Sequence, residues 1–173
     1  MAADRVHLSV PSRATVLLKA IDQGFDHKSW HGPILKGSLR GVTAVQAAWR
    51  PGPKRHNIWE IAVHCAYWKY SLLRRLRPDL ESTFPEKGSN WFPRPRERGN
   101  KDASDKAWKA DLAMLFAFHR DLRTAVASLS DAALDTIPRG SKTRIEDLVL
   151  GIAFHDIYHA GQIQLLKRLG TGP

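Results

Sequence analysis

The 173 residues are 43% hydrophobic and 25% charged, which suits one globular domain over residues 1–173 and excludes wholesale disorder. No run approaches the ~20 apolar residues of a membrane helix and Met1 to Leu8 hold no signal-like stretch, so a cytoplasmic, membrane-free protein is expected. Lys and Arg number 27 against 17 acids, a net +10 that admits nucleic acid as a less favoured partner, yet these residues are scattered and no nucleic-acid-binding motif accompanies them.

In chain order, Ser12 to Phe25 reads as a helix, with Val16, Leu17, Ala20 and Ile21 at helical spacing. His31-Gly32 breaks it, and Pro33 suits the first position of a short helix over Ile34 to Arg40. Thr43-Ala44-Val45-Gln46 is a capping box that opens another short helix, ended by Pro51-Gly52-Pro53. Asn57 caps a long helix that runs to about Arg77, because Pro78 prevents its continuation. Residues 78 to 102 carry four prolines and read as a long structured loop, a feature often tied to function. Ser104 is expected to open a third long helix, apolar at Trp108, Leu112, Leu115, Leu122 and Val126. Thr143-Arg144-Ile145-Glu146 is a second capping box, and its helix can extend to Leu169 before Gly170. No period-2 alternation competes. The expected fold is all-α, a four-helix bundle with a long loop between the second and third long helices.

The last helix carries the chemistry. Its seam steps by four and three through Leu148, Ile152, His155, His159, Gln162, Leu166 and Leu169, so polar residues fill the middle of an aliphatic stripe. A buried imidazole without a partner costs about 1–3 kcal/mol, so something must compensate it. Residues at i and i+4 are stacked on one helix face, and two such imidazoles can bind one ion. The facing stripe of the second long helix, Ile61, His64, Trp68 and Leu72, offers His64 as a third ligand. Eight histidines give roughly 0.4 such i,i+4 pairs by chance, so spacing alone leaves metal binding and a hydrogen-bonded polar core both open.

Other candidates surround these three. Gln162 and Glu60 are candidates to orient the ligand rings, His31 and Trp91 to stand at the site mouth. Asp156 and Tyr158 are expected to point off the seam toward solvent or a second copy, and His119 to lie at the surface or core edge. Cys65, the only cysteine, excludes an internal disulfide and reads as a small buried hydrophobe, rotated away from His64.

His155-Asp156-Ile157-Tyr158-His159-Ala160-Gly161-Gln162-Ile163 and His56-Asn57-Ile58-Trp59-Glu60-Ile61-Ala62-Val63-His64 resemble the motifs of the DinB/YfiT-like superfamily of metalloproteins. Trp30-His31-Gly32-Pro33 and Ser89-Asn90-Trp91 resemble segments of one branch, and the similarity runs from about Trp30 to Leu169. That resemblance implies a four-helix bundle, commonly a homodimer, whose metal triad falls on His64, His155 and His159. Zinc or nickel is the implied ion, with manganese or iron as alternatives, and a low-molecular-weight thiol is the implied cosubstrate. The leading expectation is therefore a metal-dependent transferase or hydrolase with an open three-histidine site, its substrate and further catalytic residues unassigned. The alternatives are a non-enzymatic metal-binding or interaction module and, less favoured, a basic nucleic-acid binder.

Overall fold

The computed structural model describes residues 12–81, 83–95 and 101–170, the side chains of 101–103 excepted. The expectations for residues 1–11 and 96–100 lie outside the described residues. Among those described, seven helices and no strand are present: α1 (Arg13–Phe25), α2 (Leu35–Leu39), α3 (Ala44–Ala48), α4 (Ile58–Leu76), α5 (Lys101–Ala127), α6 (Asp131–Leu134) and α7 (Ile145–Gly170). The four longest, α1, α4, α5 and α7, pack in a closed ring: α4 on α5, α5 on α1, α1 on α7 and α7 on α4. The short α2 and α3 cover one end, α2 against α7, and α3 against α4 and α5. Of the three short helices, α2 and α3 stand where short helices were expected, and α6 is additional.

Local signals explain most boundaries. The Ser12 hydroxyl caps α1, and both arms of the Thr43–Gln46 capping box are made. Asn57 Oδ1 accepts the Glu60 N–H at 2.8 Å to start α4, and Pro78 follows its end. Two boundaries differ from the sequence reading. Helix α5 begins at Lys101 and runs through Ser104, whose hydroxyl offered a cap that the backbone does not need there. At α7 the predicted second box is not made, because the Thr143 N–H is given to Ser141 Oγ at 3.0 Å and the Glu146 carboxylate pairs with Arg13 of α1. Ser130 caps α6, a turn that the sequence reading missed, by accepting the Ala133 N–H at 3.2 Å.

Helix α4 is the most enclosed, buried without a break from Asn57 to Ala66, since α3, α5 and α7 all lean on it. Helix α7 is buried on two sides, against α1 and α4, which widens its inward band to Val149, Ile152, Ala153, Asp156, His159, Ala160, Ile163 and Leu166. The seam expected to end at Leu169 is correspondingly displaced, and Leu169 is 53% exposed. Small residues set the α1–α7 approach: a Cβ on Gly24 would stand 2.8 Å from the Ala153 carbonyl oxygen. Among the described residues no helix is long and apolar enough to cross a membrane.

Candidate metal centre

Helix pairing brings three imidazoles to one point. His155 and His159 project from successive turns of α7, and His64 meets them from α4. His64 Nε2 lies 2.9 Å from His155 Nε2, and His159 Nε2 lies 3.1 Å from the same atom. For a tetrahedral ion with bonds of about 2.0–2.1 Å, ligand nitrogens stand about 3.3 Å apart, so this cluster is close to the size an ion requires. The three residues form a group that could hold a metal ion.

The outer nitrogens decide how the inner ones are protonated. His64 Nδ1 faces the Asn90 carbonyl at 2.7 Å, and His159 Nδ1 faces Gln162 Oε1 at 2.6 Å. Both partners only accept, so both Nδ1 atoms carry the proton and both Nε2 atoms present bare lone pairs. His155 Nε2 can give at most one proton to the two of them. One lone pair is left facing the cluster without a hydrogen, and a shared cation satisfies all three at once. Burial pushes His155 down to about 3, helped by the neighbouring His159 and His64, and His159 down to about 4; it lowers His64 as well. All three are therefore neutral, the form that ligates, near pH 7.

The expected loop supplies the support. Asn90 adopts φ 71°, which turns its carbonyl to His64 while its side-chain oxygen accepts from Trp68 Nε1 at 3.0 Å. Trp91 lies parallel to His64 at 3.9 Å and to His56 at 3.6 Å, each with a 7° tilt, so the indole is held between two imidazoles. Gln162 continues the chain outward by donating to the Tyr158 hydroxyl at 2.9 Å. A cleft of about 390 Å³ opens beside His159, lined by Arg55, His56, Trp91, Tyr158 and Gln162 with Ile61, Leu165 and Leu166. His31 is exposed on the turn before α2 and is not among the lining residues.

Several polar residues stand elsewhere than expected. Glu60 does not reach His64. Its buried carboxylate takes Arg50, His56 at 3.0 Å and the Arg94 N–H at 3.1 Å; burial alone would raise it, but these partners hold it below the usual range. Asp156 does not face solvent: it is fully buried, ion-paired to the equally buried Lys69, with its second oxygen unpartnered. Burial raises the Asp156 carboxyl against the pull of Lys69. His119 is 4% exposed and stacked on Phe25 at 3.6 Å, not a surface residue. Tyr158 is exposed as expected. Cys65 is buried, yet near enough to group with His155 and Asp156, and burial raises its thiol well above the usual value, so it stays protonated. Sequence reasoning missed the Asn90 and His56 contacts, whose only sequence signals were the resemblance of Ser89-Asn90-Trp91 and of the segment from His56 to His64 to family segments.

No curated protein and no solved structure matches the chain. The family model of the DinB superfamily matches residues 33–163, well over half of the sequence and all three clustered histidines, and the chain belongs to the DinB superfamily.

Proposed function

We propose that the protein binds one divalent metal ion through His64, His155 and His159 and uses it as a metal-dependent enzyme of transferase or hydrolase type. The observation that carries this reading is the convergence of three Nε2 atoms with too few protons to satisfy one another. Membership of a superfamily known for metal binding supports it. An ion held there supplies Lewis acidity toward a water or a small thiol. The ligand set favours zinc or nickel over harder ions, because imidazole suits both.

The chain's own residues argue for an open site. Cys65 and Asp156 fall with His155 in a separate group and not in the cluster of His64, His155 and His159, so neither is set up as a fourth ligand of the triad. The adjacent cleft gives a small substrate apolar walls at Ile61, Leu165 and Leu166 and polar groups at Arg55, Tyr158 and Gln162. A low-molecular-weight thiol remains the proposed cosubstrate. Self-association is proposed as well: Phe154, Tyr158, Leu165 and Leu169 line one face of α7 and are 53–63% exposed, and two of them also border the cleft.

Metal analysis of His64→Ala, His155→Ala and His159→Ala should show loss of the stoichiometric ion with helical content retained. Cobalt(II) in the native protein should give a visible spectrum that azide or a small thiol shifts saturably. Full metal occupancy in any one variant removes that residue from the site. A spectrum indifferent to every added ligand leaves a non-catalytic staple between α4 and α7.

A further inference from the structure

A second group of ligand-type side chains converges where α1 meets α5. Asp22 and Asp26 stand one turn apart at the end of α1, and His119 comes from α5; one ligand atom from each lies within 4.8 Å of the others. A pair four residues apart, one in the last turn of a helix and one at its C-cap, completed by a residue of another helix, resembles the arrangement of the triad, with carboxylates in place of two imidazoles. For metal–ligand bonds of about 2.0–2.2 Å, opposed ligand atoms stand at most about 4.4 Å apart, so closing on an ion needs movements well under an ångström.

His119 is what points to a ligand. Its ring is 4% exposed, yet neither nitrogen has a hydrogen-bond partner. Phe25 covers one face of the ring at 3.6 Å and holds it in place. Burial pushes it down to about 3, with Lys69 adding to the effect, so the ring is neutral and offers a lone pair. The carboxylates are already engaged: Asp22 takes Arg123 at 2.7 and 3.0 Å, and Asp26 takes His27 at 2.8 Å and Lys36 at 3.5 Å. Each carboxylate has about four lone-pair sites, so these contacts leave room for one metal bond apiece. Their side chains are 12% and 27% exposed, so water can complete the coordination.

We propose that Asp22, Asp26 and His119 form a second divalent-cation site, distinct from the triad, which takes a hydrated, oxygen-preferring ion of the manganese(II) class. Two carboxylates and one imidazole are a harder donor set than three imidazoles, so the two sites sort ions by type. Arg123 and Lys36 neutralise part of the acidic charge and place the affinity below that of an all-acid cage.

The test is a manganese(II) titration, followed by the electron paramagnetic resonance of the free ion, on protein preloaded with one equivalent of zinc. The wild type should bind one manganese ion. His119→Leu, which keeps the apolar stacking on Phe25, and Asp26→Asn, which lies nearer the surface, should each weaken it at least tenfold. His159→Ala, titrated without zinc because it no longer holds that ion, should still bind one manganese ion, so failure of the triad reading is told apart from failure of this one. Anomalous scattering at the manganese edge should place the ion beside His119. No binding at millimolar manganese, wild-type affinity in both variants, an ordered water in place of the ion, or loss in His159→Ala alone each overturns the proposal. If His119→Leu fails to fold, Asp26→Asn decides.

Discussion

His159 reaches the cluster with one nitrogen because the other is committed to Gln162, which is itself held by Tyr158. Removing that acceptor frees the ring to rotate or change tautomer, and losses of this kind cost about 10–100-fold in metal affinity. Gln162→Leu should therefore weaken zinc binding by about that factor with helical content unchanged, as measured by competition with a chromogenic chelator; unaltered affinity would make Gln162 a bystander. The clustering of the three histidines was legible because each fell on the inward stripe read for a periodic helix. Glu60 was misread although it sits one turn before His64, because the Arg50 guanidinium and the Arg94 N–H draw its carboxylate the other way. The role of Asn90 was not legible beyond the resemblance of its segment. That role depends on a backbone carbonyl and a left-handed φ in a loop, and neither leaves a periodic trace.

Helix α7 shows where periodicity stops being informative. A single seam predicts one buried stripe, but α7 has neighbours on two sides, so Asp156 falls between them and Lys69 must meet it. Breaking such a pair from one side leaves a buried charge and costs about 3–5 kcal/mol, while replacing both partners by apolar residues is often neutral. Lys69→Met should lower the unfolding free energy by that amount in chemical denaturation, and Lys69→Met/Asp156→Leu should recover most of it. A double variant as unstable as the single one would place the cost in packing. The long helices themselves were readable from caps and prolines. The start of α5 was not, because Ser104 can sit inside a helix as well as cap one.

Buried neutral imidazoles couple the stability of the whole molecule to pH. His119 and His155 are pushed to about 3 and His159 to about 4, against 6.5 when unfolded, so the unfolded chain binds more protons between those limits. Stability of the metal-free protein should therefore be constant above about pH 6.5 and fall below it, by about 1.4 kcal/mol per pH unit for each such histidine. Denaturant midpoints measured with a chelator between pH 4.5 and 7.5 check this; a flat profile would contradict it, and His119→Leu should remove its own share of the slope. Composition and helical content were readable from sequence at this scale. The coupling was not, because it depends on how completely each ring is enclosed.

The indole of Trp91, lying flat between His56 and His64, makes the site its own optical gauge. Excited indole is quenched by charge and by electron acceptors in contact with its face, and one of its two contact rings is a proposed ligand. Filling the triad should therefore change the intrinsic emission without any added dye. Zinc titration of the wild type should give a saturable change that Trp91→Phe largely abolishes; an equal change in both would trace the signal to another tryptophan. A protein of this kind could be screened for ligands of its own metal by light alone.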